Sequence, residues 1–436
     1  MKGFIILLFI SLQIHCAHAY ELVWGSGVMK VLKYDAPAQS GLDAVYVAEN
    51  AEGLRLTFLC NSGNESPSQV KWYKYSSLGG AYAEKIDASI DNNKSTVTLM
   101  DGDMGYMVEY GSGKYCFWLV DYSKHPLSLS SIYEIPDDSG CEQTTLLADG
   151  VGDKISYHGI NGRKFTLSRE LMLRYTSLVY DDKSGGFKEN EITEQYEYLT
   201  ERIRCKAPFT STAFCLSGDR FLKEWGREVE IASQTVLPKA VTAHLTVTQN
   251  DDSADNQIAQ TSGSALGGSA PCVIDFSAAV TDAVVFAEWQ ISSTPDFEDI
   301  NYRQQELNFT HTFNTEGTEY VRFVCADSSG ECEYYSEVYP VTIGKSVLKC
   351  PNVFSPGNAD GVNDEWRVSY SSIVSFECHI FNRYGREITS FNDPAMGWDG
   401  TYKGKLVTAG VYYYVIKAKG VDGKQYELSG DINILN

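Results

Sequence analysis

The chain has 436 residues, a formal charge of −21, 43% hydrophobic and 12% aromatic content, and 28 Tyr and 37 Gly against 12 Pro. That length exceeds what one hydrophobic core serves, so several domains are expected, and the apolar share excludes a disordered chain. An acidic body argues against nucleic acid and anionic membrane surfaces as partners, and the Tyr- and Gly-rich composition suits strands joined by tight turns.

Residues 1–19 read as a secretory signal, with Lys2, an apolar run from Phe4 to Ile14, and Ala17-His18-Ala19 as the cleavage site. That run is too short to span a bilayer and no longer one follows, so no transmembrane segment is expected in the mature chain. Loss of Cys16 with the signal leaves ten of the eleven Cys, an even set that reads as disulfides in an exported protein. None has the C-x-x-C spacing of a zinc site.

Residues 20–137 read as a β-sandwich. Leu54, Leu56, Phe58 and Cys60 alternate onto one face of a strand, Trp72 follows on a second, and Cys116, Trp118 and Val120 share a face of a third. Cys-Trp-Cys in this order resembles the immunoglobulin fold, whose buried Trp packs on an inter-sheet disulfide, and the resemblance implies a Cys60–Cys116 bond. Lys114 departs from it, standing where the corner Tyr would be.

Residues 138–238 form a β-rich domain of uncertain type. Asn161-Gly162 between two apolar arms signals a hairpin, and Leu171, Leu173 and Tyr175 alternate on the next strand. The segment from Ile192 to Ile203 fits helical spacing and strand spacing alike, and its surroundings favour strand. Cys205 and Cys215 flank a nine-residue turn they could staple.

Residues 239–346 combine a flexible polar segment, Gln249 to Ala270, with a second sandwich in which Cys272, Ile274 and Phe276 alternate, as do Ala287, Trp289 and Ile291. A strand ending in Trp, then Thr312-Phe313 and Gly317-Thr318, then a strand into a polar turn, resembles the polycystic-kidney-disease-type Ig fold. Cys325 and Cys332 face each other across Asp327-Ser328-Ser329-Gly330, with Cys272 a competitor for Cys325. Connectivity among Cys141, Cys205, Cys215, Cys272, Cys325 and Cys332 stays open.

Residues 347–436 are the most informative. They run Pro351-Asn352-Val353-Phe354-Ser355-Pro356, then Gly361-Val362-Asn363-Asp364. Next come Phe381-Asn382-Arg383-Tyr384-Gly385, Trp398-Asp399-Gly400 and Gly410-Val411-Tyr412-Tyr413-Tyr414. Val374, Phe376, Cys378 and Ile380 alternate on one strand face, so Cys378 points inward, where Cys350 could meet it in a compact seven-strand sandwich. Asn358, Asp360, Asn363 and Asp364 form an oxygen-rich loop resembling those that hold calcium, but the spacing lacks the closing Glu of the twelve-residue loop, so turn formers are the favoured reading and calcium the weaker one. Trp398-Asp399-Gly400 reads as a tight turn whose Trp plugs the core.

Taken together, these blocks resemble the gliding motility-associated, type B sorting domain of Bacteroidetes type IX secretion cargo. The resemblance implies Sec export to the periplasm, then delivery to the cell surface or medium. It also implies docking with the type IX translocon and with an outer-membrane protein of the SprF/PorP kind. Asp252-Ser253-Ala254 is similar to the short O-glycosylation signal of exported Bacteroidetes proteins, which would modify Ser253.

No G-x-S-x-G elbow, H-E-x-x-H, Walker loop or dinucleotide fingerprint occurs. The expected class is therefore all-β: tandem Ig-like and PKD-like sandwiches ending in a small sorting sandwich, non-enzymatic and without cofactor. Its role would be adhesion or surface structure, through an unidentified protein or glycan ligand. The alternative is a secreted hydrolase with its site in 138–238.

Overall fold

The computed structural model describes residues 20–25, 30–60, 66–99, 101–250, 254–258, 265–357 and 361–435. The expected leader (1–19), Ser253, Asn358 and Asp360 lie outside the described residues. The described chain is almost wholly β, arranged as four sandwiches in series, with a short α-helix at Arg220–Glu224.

In the first sandwich, Leu54, Leu56, Phe58 and Cys60 all turn inward, as their alternation predicts. Their strand, Leu54–Cys60, joins a four-stranded sheet that faces a six-stranded one. Trp72 fills the space between them, its Nε1 donating to Ser95 Oγ at 3.0 Å. Ala44–Ala48 pairs in parallel with Gly113–Asp121, which makes Gly113–Asp121 the last strand of the sandwich. The strand before it, Met104–Tyr110, holds the position opposite Cys60 in an immunoglobulin topology. There Tyr106 donates to the Asp101 carbonyl at 2.6 Å, a tyrosine corner, and Val108 stands two residues on, where the second Cys would be. Cys116 points to the other face of its sheet, into a different core. The Cys60–Cys116 pairing is thereby corrected.

That other face is covered by the second sandwich. Its sheets are Ser128–Glu134, Gln143–Val151 and Arg202–Lys206 against Gly186–Tyr196, Leu171–Asp181, Cys215–Gly218 and Val229–Ala232. The ambiguous 192–203 segment is strand, bend and strand. Two insertions leave this sandwich: the hairpin Ile155–His158 with Lys164–Leu167, turning at Asn161-Gly162, and the helix Arg220–Glu224. Ile155, Tyr157, Leu167 and Phe221 from these insertions pack with Val45, Val47, Cys116 and Trp118 of the first sandwich. Each such side chain contributes roughly 1.5–3 kcal/mol by leaving water, so the first two sandwiches share a core and are not beads on a string. Cys205 faces inward from one sheet, while Cys215 lies on the opposite sheet beside Arg174. The Cys205–Cys215 staple is corrected for that reason.

The third sandwich places Ala243–Gln249, Cys272–Val280 and Asn308–Phe313 against a sheet built on Phe286–Ser292, Gly317–Ala326 and Tyr339–Ile343. Trp289 is fully buried, its Nε1 donating to the Leu307 carbonyl at 3.1 Å. Cys332 is bonded to Cys141 of the second sandwich, 191 residues away, so it does not pair with Cys325. Cys272 opens its strand opposite Phe313, whereas Cys325 pairs with Ala287, just beyond that strand's far end. The strand's length separates the two by about 26 Å, which removes that alternative as well. The reading of Gln249 to Ala270 as a linker between packed units is likewise corrected: the stretch follows this sandwich's first strand, and Leu266–Gly268 within it is a strand of the same sandwich, paired in parallel with Tyr339–Ile343. Within it, residues 254–258 are strapped to the fourth sandwich. Ile258 N donates to the Tyr370 carbonyl at 2.7 Å, and Asn256 Nδ2 donates to the carbonyls of Val368 and Pro394, both at 2.8 Å.

In the fourth sandwich a five-stranded sheet runs Val353–Phe354, Gln425–Ile434, Gly410–Gly420, Ile373–Asn382 and Glu387–Phe391. Three two-stranded ladders oppose it where a seven-strand sandwich was expected. A bulge between Ile373 and Ser375 leaves Val374 exposed, while Phe376, Cys378 and Ile380 face inward as predicted.

Candidate functional site

Most residues of the C-terminal motif blocks build the fourth sandwich itself. Phe354, Trp398 and Tyr412, from three separate blocks, meet in its core, with Trp398 centred 5.4 Å from Phe354 and 5.2 Å from Tyr412. Trp398 Nε1 donates to the Thr401 carbonyl at 2.9 Å, and Asp399 Oδ1 accepts from Thr401 N at 2.9 Å, which closes the tight turn. Gly400 has φ +75°, and a Cβ there would meet Pro356 at 2.6 Å, so the turn demands glycine.

The first block is held by its backbone. The Pro351 carbonyl accepts from Trp366 Nε1 at 2.7 Å and the Asn352 carbonyl from Asn433 N at 2.8 Å. The Asn363 carbonyl accepts from Ser355 N, and Asp364 Oδ2 accepts from Gly361 N at 2.8 Å. Asp364 thus serves a turn. Asn382 Oδ1 accepts from Tyr384 N and Arg386 N, both at 3.0 Å, and Gly385 completes that turn at φ +76°.

A smaller set of motif residues has no such duty. On the outward face of the five-stranded sheet, Tyr413 (46% exposed) stands between Phe381 and Asp431 in register, and Val415 stands between His379 and Ser429. Val411 and Val353 extend the apolar area, flanking Asn433. At one end Tyr384 is 78% exposed, with the Arg383 guanidinium over its ring at 4.8 Å. Phe381, Arg383, Tyr384, Val411 and Tyr413 come from two blocks some thirty residues apart in sequence, and the fold brings them to one sheet face and its adjoining turn. The other half of the face is charged, with Lys417 between Glu377 and Glu427. His379 lies between Glu377, at 3.1 Å, and Glu387, at 3.5 Å. Its pKa is raised, mainly by the hydrogen bond with Glu377 and then by the Glu387 charge. Strand parity separates Tyr412, inside, from Tyr413, outside, a signal already present in the sequence.

Elsewhere a cleft of about 520 Å³ opens beside the Cys141–Cys332 bond, where the second and third sandwiches meet. Glu134, Lys239, Asp327 and Glu331 line it. Lys239 Nζ bonds the carbonyls of Pro136 and Ser139, and Asp327 accepts from Ser329 Oγ and Cys332 N, so both are engaged in holding the junction. His311 sits between Phe309 and Phe313 in an aromatic row and burial lowers its pKa. Among the described residues, no group of three or more His, Cys, Asp or Glu side chains is placed to hold a metal ion. No helix among them is long and apolar enough to cross a membrane.

Two family models match. Residues 134–233 match the fibronectin type III domain and residues 348–434 the CHU_C type IX secretion signal domain. No curated protein matches the chain. Among solved structures, the chain is similar to a tetra-tandem repeat from the extending region of a large adhesion protein, at 12% identity and TM-score 0.22, covering 88% of this chain and 96% of that one. It is also similar to the FN1–FN3 domains of chicken CNTN1, at 10% identity and TM-score 0.24, covering 71% and 100%. A third similarity is to dimeric latent PorU from Porphyromonas gingivalis, at 12% identity and TM-score 0.16, covering 74% and 35%. The chain is a multi-domain β protein with a fibronectin type III-like domain, and its C-terminal sandwich matches the type IX secretion signal domain, which indicates export to the cell surface or extracellular space.

Proposed function

We propose that the chain is a non-enzymatic adhesion or binding protein of the cell surface or medium. Its C-terminal sandwich is read by the type IX translocon, and by an outer-membrane partner of the SprF/PorP kind, through the face centred on Tyr413. The observation that supports this reading is the division of labour among the motif residues. Trp398, Phe354, Tyr412, Gly385 and Gly400 are accounted for by packing and turns, whereas Phe381, Arg383, Tyr384, Val411 and Tyr413 are displayed together. Aromatic and Arg side chains grouped on a rigid sheet are the usual anchors of a protein interface. Adhesion is favoured over hydrolysis by the way the front three sandwiches are joined, the first to the second through a shared core and the second to the third through a disulfide. The carboxylates of the junction cleft lie outside 138–238, where a hydrolase site was the alternative.

The test is a Tyr413→Glu/Arg383→Glu variant of the full chain, expressed in the native host and compared with wild type by cell fractionation. It is expected to accumulate in the periplasm at an unchanged melting temperature. Wild-type levels in the medium or on the surface would reject this face as the recognition site. Cells lacking the chain should attach less well to their surface ligand; unchanged attachment would reject the adhesive role.

A further inference from the structure

Two cysteines in the C-terminal sandwich are thiols in the structure, yet they share one core. Cys378 is fully buried on the inward side of Ile373–Asn382, the strand next to the sheet's centre. Cys350 is half-buried against the same core, one residue before Pro351, whose carbonyl is fixed by Trp366. Tyr414 marks how near they are. It pairs with Ile380, two residues along from Cys378 on the same face, and its hydroxyl is hydrogen-bonded to the Cys350 thiol. The Tyr414 ring also packs on Trp366 with centroids 5.2 Å apart. Burial first, and then Cys350, push the Cys378 thiol up to about 12, and Tyr414 is raised by burial, then by Cys350 and, less, by Cys378. The other pairs suggested by sequence, Cys60 with Cys116, Cys205 with Cys215 and Cys272 with Cys325, are split between cores, sheets or sandwich ends.

We propose that Cys350 and Cys378 form an intramolecular disulfide in the exported protein, a covalent clamp that holds the first sorting block against the sheet. The lead-in segment is otherwise held by short elements: the two-residue strand Val353–Phe354 along Gln425–Ile434, the ladder of Val347–Lys349 with Ser369–Ser371, and hydrogen bonds to the backbone carbonyls of Pro351 and Asn352. The bond would close a loop containing Pro351 to Pro356, Gly361 to Asp364 and Trp366, so most of the first two blocks would be tied at both ends. Chemically, the two thiols give up two protons and two electrons to the disulfide of a dithiol–disulfide oxidase. A mixed disulfide forms first; the second thiolate then displaces the oxidase, which leaves as a dithiol. Cys378 is wholly buried once the core is closed, out of reach of an oxidase. Oxidation therefore precedes closure of the core, and the finished bond is shielded from reductants. The Cys141–Cys332 bond is of the kind that forms in an oxidising compartment.

The experiment takes the full chain from the culture medium, denatures it in iodoacetamide without reductant, and maps peptides by mass spectrometry. A linked peptide pair joining Cys350 to Cys378 is expected, lost in Cys350→Ser, where Cys378 becomes alkylated. Alkylated Cys350 and Cys378 in the exported wild-type chain would overturn the proposal whatever the state of Cys141 and Cys332. In a Cys141→Ser/Cys332→Ser background, reductant should speed proteolysis of the C-terminal sandwich several-fold. The same reductant should have no effect once Cys350→Ala/Cys378→Val fills the core without thiols. A reductant effect absent from the first background would also overturn it. Export of the Tyr413→Glu/Arg383→Glu variant is a separate readout, so either idea can fail alone.

Discussion

Arg169 Nη1 lies 2.7 Å from Asp219 Oδ2, and neither side chain has any exposure to solvent. The pair sits where the second sandwich meets the first, and each remaining group has a partner. Arg169 Nε donates to the Asp153 carbonyl at 2.7 Å and Nη2 to the His125 carbonyl at 2.8 Å. Asp219 accepts from Tyr122 Oη at 3.0 Å and, through Oδ1, caps the short helix at Leu222 N. A buried ion pair of this kind is costly to break because the survivor is left charged in a dry site. Arg169→Met is therefore expected to destabilise the joined sandwiches by about 3–5 kcal/mol. Arg169→Met with Asp219→Leu should recover a large part of that loss. Urea unfolding of the single and double variants measures both, and an additive double variant would reject the coupling.

Cys141–Cys332 makes a different kind of junction, closing a 191-residue loop between the second and third sandwiches. Much of a disulfide's effect comes from restricting the unfolded chain, and for so long a loop it approaches the upper end, roughly 3–5 kcal/mol. The same junction has Thr210 Oγ1 bonded to Asp282 at 2.5 Å and Tyr180 stacked on His244 with centroids 3.4 Å apart. Cys141→Ser/Cys332→Ser is expected to fold, to lose that stability, and to become hinged between the two sandwiches. Small-angle scattering would show the broader distribution of shapes, and an unchanged profile would mean the non-covalent contacts suffice.

How much of this was legible in the sequence depends on which face of a strand carries the information. Single-sided strands such as Leu54–Cys60 and Leu171–Asp181 display their inward sets by alternation alone. Gly113–Asp121 does not, because every residue from Cys116 to Asp121 is buried: one face packs in the first sandwich and the other under the inserted hairpin. With both faces dry, parity cannot say which core Cys116 enters, and the strand was mistaken for its neighbour Met104–Tyr110. Spacing also says nothing about Cys141 finding Cys332, since the partner is set by how two sandwiches abut. The strap at 254–258 was hidden for a related reason: Asn256 bonds backbone carbonyls, which carry no residue signature. The C-terminal blocks were legible as a set, but the motif reading took Tyr412 and Tyr413 together, and the strand parity that separates core from display went unused.

Trp398 tests that separation. Its ring is 3% exposed and joins Phe354 and Tyr412, so Trp398→Ala should cost about 3–5 kcal/mol in the C-terminal sandwich. Tyr413→Ala, on the opposite face, should cost little stability. Thermal melts distinguish them, and a Tyr413→Ala loss as large as that of Trp398→Ala would mean the outward face is structural.

The two histidine environments predict opposite responses to pH. His379 is stabilised as the cation by the Glu377 hydrogen bond and the Glu387 charge, so its folded pKa lies above that of the unfolded chain. Its contribution is fully present below the ordinary histidine value of about 6.5 and is lost as pH rises through the folded value. At a largely solvated site this should amount to less than about 1 kcal/mol. His311 is the reverse: burial favours the neutral ring and lowers its folded pKa. Its contribution is fully present above about 6.5 and shrinks as pH falls toward the folded value, because the unfolded chain binds the proton more readily. Melting temperatures of full-length His379→Gln and His311→Gln, followed from about pH 5 to 8, should each lose one limb of the wild-type profile, the alkaline fall for the first and the acid fall for the second. Identical profiles for the two variants would show that neither environment holds its ring in the charge state assigned.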